Sequence, residues 1–134
     1  MAKQFEDLDI WKQSRELCKD VYRITNYKLF SKDFKFLEQI RSSAGSVMDN
    51  IAEGFERNGN KEFIQFLYIS KGSCGETRSQ LYRALDNIYI SKEEFEVLYE
   101  KALRLSKSLS NFILYLKDSN ITGHKNLNLK SLNS

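Results

Sequence analysis

Apolar residues recur every three or four positions through most of this chain, which is the spacing of one face of an α-helix. The pattern predicts four helices, at about residues 8–26, 36–58, 61–89 and 92–118. The links between them are short, so consecutive helices should lie side by side and antiparallel. The sequence therefore predicts an all-α, up-and-down antiparallel four-helix bundle. The clearest core seam is that of the fourth helix, Phe95, Leu98, Ala102, Leu105, Leu109, Phe112 and Leu116.

Polar residues at the expected helix ends support these boundaries. Asp33 or Ser31 can cap the start of the second helix, and Asn60 can cap the third. Ser91 begins a capping-box pattern in which its side chain caps the fourth helix and Glu94 reaches back to it.

The first helix has apolar residues on two faces. One face runs from Leu8 to Thr25, and the other carries Ile10, Leu17 and Ile24 at intervals of seven. Two apolar faces need two packing partners, which indicates contacts beyond a single bundle.

The second helix carries a polar stripe without lysine, small and amidic where a solvated face is usually long and charged. We expect it, with Glu76 of the third helix, to form a buried polar contact that fixes the packing of an oligomer. The alternative is an exposed Asn50, with Glu53 paired to Arg57 and Glu76 paired to Arg83 or to a polar group of the second helix. The stripe consists of Gln39, Ser43, Ser46, Asn50, Glu53 and Arg57.

One stripe of the third helix combines cations with tyrosines. Cations attract phosphate, and tyrosine rings offer stacking surfaces to unpaired bases. The alternative is a solvated flank whose tyrosines cover the edge of the core and keep their hydroxyls wet. The candidate nucleic-acid contacts are Lys61, Tyr68, Lys71, Arg78 and Tyr82.

Four glycines lie inside the second and third helices, where each costs about 1 kcal/mol relative to alanine. They are tolerable if they let the two helices approach closely, and the alternative is that they mark local bends. These glycines are Gly45, Gly54, Gly72 and Gly75.

Composition narrows the class of protein. The 134 residues suffice for one domain, and the absence of proline fits long helices. A formal net charge of +3 permits contact with nucleic acid without arguing for it. Cys18 and Cys74 are isolated, and no apolar run approaches the roughly 18 residues that a membrane span needs. We therefore expect a cytoplasmic protein without a membrane segment.

Candidate catalytic groups are few. The sole histidine is His124. It falls in the polar segment 119–134, which we expect to be a mobile tail. A Ser-His or Cys-His relay would depend on this one histidine. Glu53, Glu62 and Glu76 could together bind Mg²⁺ or Ca²⁺, although ordinary pairing explains them more simply. We expect no enzyme activity, no cofactor, no metal and no small-molecule substrate.

Three stretches of the chain carry a resemblance to a known family: QIR at 39–41, SVMDNIAEG at 46–54 and KGSCGE at 71–76. They resemble the 23S rRNA-intervening-sequence protein family, also called the four-helix bundle protein family, over about residues 5–116. The resemblance implies an up-and-down four-helix bundle, often a homopentamer. It also implies a possible relation to nucleic acid, because a similar branch, the accessory protein of diversity-generating retroelements, binds nucleic acid.

The expectation from the sequence is a non-enzymatic bundle that assembles into a ring-shaped homo-oligomer, with five subunits as the resemblance implies. Binding of RNA or DNA with little sequence preference is the first functional interpretation. The alternative is a protein-binding scaffold or accessory module with no role in nucleic-acid binding.

Overall fold

The structure, a computed structural model, describes residues 2–122. It contains four α-helices and, within that range, no strand, so the prediction of a four-helix, all-α fold is confirmed. Short 3-10 turns at Phe5–Asp7 and Phe30–Lys32 precede the first two helices. The helices are α1 (Asp9–Thr25), α2 (Phe34–Glu56), α3 (Asn60–Asp86) and α4 (Lys92–Thr122).

Each helix packs against its neighbours in the chain, and α1 also packs against α4. The end of α1 meets the start of α4, where the guanidinium of Arg23 lies 3.1 Å from the carboxylate of Glu94. Likewise, the end of α2 meets the start of α3, where the rings of Phe55 and Phe63 are 5.9 Å apart. These contacts show that α1 is antiparallel to α4 and that α2 is antiparallel to α3.

The helix boundaries follow the expected caps with two differences. The side chain of Asp33 accepts a hydrogen bond from the Phe36 amide, and that of Ser91 accepts one from the Glu94 amide. Asn60, in contrast, is the first residue of α3 and not its cap. The carboxylate of Glu94 does not reach back to Ser91, because it is bound by α1 instead.

The fourth helix extends beyond residue 118, where we expected a tail to begin. It contains no glycine or proline through Thr122, and Gly123 is the next strong helix breaker in the sequence. Residues 123–134, which include His124 and most of the expected mobile tail, lie outside the described residues.

Both apolar faces of α1 are buried inside one chain. Leu8, Ile10, Leu17, Val21 and Ile24 are each at most 1% exposed. A helix in a square bundle has two neighbours, here α2 and α4, and these provide the two partners. The two faces of α1 therefore give no indication of assembly, contrary to our expectation.

Close approach explains one of the four helix glycines. A Cβ atom on Gly54 would lie 2.6 Å from the Cβ of Phe66 on α3, so α2 and α3 touch there. At Gly45, Gly72 and Gly75 an added Cβ would meet nothing within 4 Å. The prediction of close packing is thus right for Gly54 and wrong for the other three, which face open space.

Candidate nucleic-acid interface

A groove between α3 and α4 brings together three of the five predicted nucleic-acid contacts. We call it the α3–α4 groove and define it by Tyr68, Lys71, Gly72, Arg78 and Ser106, which line a volume of about 400 Å³. Lys71 follows Tyr68 by three positions and Arg78 follows Lys71 by seven, which places these three on one side of α3, and Gly72 follows Tyr68 by four. A smaller hollow of about 220 Å³, also lined by Tyr68 and Lys71, continues the groove along α4.

The α3–α4 groove carries positive charge without a carboxylate beside it. No acidic residue lines it. Among the residues that the structure describes, Lys71 and Arg78 form no ion pair. The Nε atom of Arg78 is buried and has no hydrogen-bond partner within the same part of the chain. Within the described chain, no hydrogen bond or ion pair engages the other nitrogens of the Arg78 guanidinium either, so the charge of this side chain is not neutralised inside the protein.

A buried thiol lies one turn before Arg78 on α3. The Sγ atom of Cys74 donates to the carbonyl oxygen of Ala102 on α4 at 3.2 Å. Burial raises the pKa of Cys74 to about 11, and the positive charge of Arg78 opposes this shift in part. The thiol is therefore protonated at neutral pH and offers no thiolate nucleophile.

The two tyrosines of the stripe differ in their surroundings. Tyr68 is 47% exposed, and the Nζ atom of Lys117 lies 5.1 Å from its ring centroid. Tyr82 packs its ring 4.8 Å from Phe95 and 5.4 Å from Tyr99, measured between centroids. The neighbouring hydroxyl of Tyr99 raises the pKa of Tyr82 above its ordinary value. Tyr82 is equally exposed, at 48%, but its ring packs on the edge of the core, whereas that of Tyr68 borders the groove.

Two further features separate the observed site from the predicted stripe. Lys61 is exposed in the first turn of α3 and does not line the groove. Ser106 and Lys117 of α4 are not among the predicted contacts, because the periodicity of one helix does not show which residues of another helix lie beside it. A usable signal exists, since Ser106 and Ser110 lie one turn apart beside the apolar seam of α4.

Part of the α2 stripe is inside the molecule. The Oγ atom of Ser43 is buried and donates to the Oε1 atom of Gln80 at 2.5 Å, and it lies 2.9 Å from the Oγ1 atom of Thr77. The Nε2 atom of Gln80 in turn donates to Glu76 at 3.4 Å. We call Ser43, Thr77 and Gln80 the buried polar cluster. It joins α2 to α3 within one chain.

Other stripe residues find partners near at hand. The side-chain amide of half-buried Asn50 donates to the backbone carbonyl and the hydroxyl of Ser46, both at 2.9 Å. Ser73 of α3 donates to the same hydroxyl. On the surface, the guanidinium of Arg57 lies 2.9 Å from the carboxylate of Glu53.

A second groove, open to the surface, separates α2 from α3 and has a volume of about 750 Å³. Gln39, Ser43 and Glu76 of the predicted oligomer contacts lie along it. Its rim mixes charges, with Lys35 and Arg83 facing two glutamates, so this groove has no dominant sign of charge. Phe34 at its mouth is 67% exposed.

Residues 2–122 contain neither a cluster of three metal-binding side chains nor a membrane-spanning helix. No three His, Cys, Asp or Glu side chains of that range lie close enough together to hold a metal ion. As far as the described helices extend, none has an apolar stretch sufficient to span a bilayer.

Comparison with known proteins agrees with the architecture. A family model described as the 23S rRNA-intervening sequence protein matches residues 6–111. The chain belongs to this family. The match covers α1, α2, α3 and most of α4, including every residue that defines the α3–α4 groove.

A crystal structure of a protein of unknown function from the S23 ribosomal protein family of Bacteroides thetaiotaomicron has the same fold. Its TM-score is 0.67 at 27% sequence identity, with 78% of this chain and 97% of that one covered. No curated protein matches the sequence. The family is thus established by sequence and by fold.

Proposed function

We propose that this 23S rRNA-intervening sequence protein is a non-enzymatic helical bundle that binds RNA or DNA through the α3–α4 groove. The observation that carries the proposal is the presence of two cations, Lys71 and Arg78, in a groove without any acidic residue or ion pair in the described chain. Cations that are not neutralised inside the protein remain available to phosphate oxygens.

The chemistry of the groove favours contacts to the nucleic-acid backbone. Lys71 and Arg78 suit phosphate, and Ser106 adds a hydroxyl, but no set of Asn, Gln or Arg side chains is arranged for base edges. Binding should therefore depend little on sequence. It should also be modest for one chain, because the formal net charge is only +3.

Assembly would strengthen such binding. In a ring-shaped homo-oligomer, for which five subunits is the expectation, one groove per subunit would recur and weak contacts would combine. The surface that we assign to the subunit contact is the outer part of the α2 stripe. Its exposed members are Gln39, Glu53 and Arg57, with half-buried Asn50 beside them. A cytoplasmic location is also proposed, since Cys18 and Cys74 are free thiols.

The binding proposal is tested by a mobility shift with RNA and DNA oligomers of several sequences at about 50 mM salt. Wild type should bind all of them, and binding should weaken steeply as salt increases, as phosphate contacts require. Lys71→Glu with Arg78→Glu should abolish binding. A double variant with the same change of net charge, Lys12→Glu with Lys28→Glu, should retain it, because both lysines are exposed and lie outside the groove.

Circular dichroism should show the same helix content for both double variants, because all four positions lie off the core. Binding that survives the groove reversal would place the nucleic-acid surface elsewhere. If wild type binds neither RNA nor DNA, the protein-binding scaffold becomes the better interpretation.

The assembly proposal is tested by multi-angle light scattering. A mass of several times the 15.7 kDa of one chain supports it, and a monomer at micromolar concentration contradicts it. Asn50→Leu or Glu53→Leu should change the oligomeric state more than Lys12→Leu does. Equal and negligible effects of all three would mean that the stripe is merely solvated.

A further inference from the structure

The α3–α4 groove contains a glycine that the bundle itself does not need. Gly72 lies in the middle of α3, where alanine would favour the helix by about 1 kcal/mol. A Cβ atom at this position would meet nothing within 4 Å, so no neighbouring helix requires its absence. The missing side chain leaves the backbone of α3 accessible in the groove, next to Lys71 and opposite Ser106.

Lys71 and Arg78 line the same groove as Gly72. Six residues separate Gly72 from Arg78, which is about 9 Å along the helix axis and about 120° around it. Side chains on an α-helix tilt toward its N-terminus, so the Arg78 side chain leans back along α3. The Arg78 guanidinium forms no ion pair in the described chain, so its positive charge is available in this groove.

We infer that Gly72 marks a phosphate subsite of a single-stranded nucleic acid, with Lys71, Arg78 and Ser106 around the phosphate and a base stacked on Tyr68. This inference rests on the nucleic-acid binding proposed above and specifies its ligand. A duplex keeps its bases stacked inside and cannot offer one to the ring of Tyr68.

Tyr68, not Tyr82, is the stacking surface in this arrangement. The ring of Tyr68 borders both hollows of the groove, and Lys117 adds a third cation beside it. The ring of Tyr82 is engaged by Phe95 and Tyr99.

The test measures fluorescence anisotropy with a single-stranded oligonucleotide of about twelve residues and with the duplex of the same length, at equal salt. Wild type should prefer the single strand. Gly72→Leu fills the subsite and should weaken single-strand binding about tenfold, the effect of losing a contact worth about 1.4 kcal/mol. Gly45→Leu is the matched control, because Gly45 also faces open space in a helix but lies on α2. It should change affinity less than twofold, with light scattering as a check on assembly.

A second pair of variants tests the inference independently of the glycine. Tyr68→Ala should weaken single-strand binding about tenfold, as expected for one lost base stack, and Tyr68→Phe should not. Tyr82→Ala should have the smaller effect.

The outcomes separate the inference from the proposal on which it rests. If wild type binds nucleic acid but Gly72→Leu and Tyr68→Ala bind equally well, the subsite is wrong and the binding proposal stands. Equal affinity for the duplex would also overturn the single-strand assignment. If wild type binds no nucleic acid, the proposed function and the subsite fail together.

Discussion

Helix α3 packs against α2 on one side and against α4 on the other, and its polar side chains have different surroundings in the two interfaces. Toward α2, the buried polar cluster satisfies its own hydrogen bonds, and Gly54 lets the two helices touch. Toward α4, the cations Lys71 and Arg78 lie in an open groove without an ion pair in the described chain, beside a glycine that touches nothing.

The difference shows that residue type alone does not distinguish a structural contact from a ligand contact. A polar group with all its partners inside the chain stabilises the fold, and one without them is available to a ligand. A stripe of Ser, Thr and Gln therefore holds α3 to α2, and a stripe of Lys, Arg and Tyr remains open beside α4.

Replacing glycine by alanine should change the free energy of unfolding in opposite directions at Gly54 and at Gly72. This is the largest effect that we expect. Gly54→Ala should lower the free energy of unfolding by about 2 kcal/mol, since its Cβ would collide with that of Phe66. Gly72→Ala should raise the free energy of unfolding by up to about 1 kcal/mol. Urea denaturation measures both. Equal effects would mean that α2 and α3 do not touch at Gly54.

Removal of a hydroxyl from the buried polar cluster should also be costly. Ser43→Ala deprives Gln80 of its donor in a buried site and should lower the free energy of unfolding by about 2 kcal/mol. Ser79→Ala, on the exposed side of α3, should change it by less than about 0.5 kcal/mol. A similar, small loss for both variants would show that water replaces the bond to Gln80.

Replacement of a paired arginine should affect stability, whereas replacement of an arginine without an ion pair should affect nucleic-acid binding. Arg23 of α1 is bound to Glu94 and Asp20, so Arg23→Gln should lower the free energy of unfolding by up to about 1 kcal/mol. Arg78→Gln removes a cation without an ion pair and should leave stability nearly unchanged while weakening nucleic-acid binding. Chemical denaturation measures the stability of both variants, and fluorescence anisotropy measures their nucleic-acid binding. A destabilised Arg78→Gln would mean that Arg78 has a structural role.

The smallest effect concerns pH. Hydrogen bonds from Arg23 and Tyr27 lower the pKa of Glu94 below its ordinary value of 4.5. A lowered pKa in the folded state contributes stability above the ordinary pKa, and this contribution is lost as the pH falls through the lowered value. Wild type should therefore lose a few tenths of a kcal/mol more than Glu94→Gln between about pH 6 and pH 3. Identical losses would show that this network is too screened by solvent to matter.

The sequence by itself determined the number, type and approximate limits of the helices. Helical periodicity and end caps are local properties, since they depend on residues three or four positions apart. The cap at Ser91 and the apolar seam of α4 are therefore predicted correctly. The face of α3 that carries Tyr68, Lys71 and Arg78 follows from the same periodicity.

Only the tertiary structure decided which of these groups have partners. The partner of Glu94 is Arg23, 71 positions away, and that of Ser43 is Gln80, 37 positions away. Such pairs depend on the rotation and register of packed helices, which local spacing does not specify. The same register closes the space around Gly54, leaves Gly72 open, and buries both apolar faces of α1 within one chain.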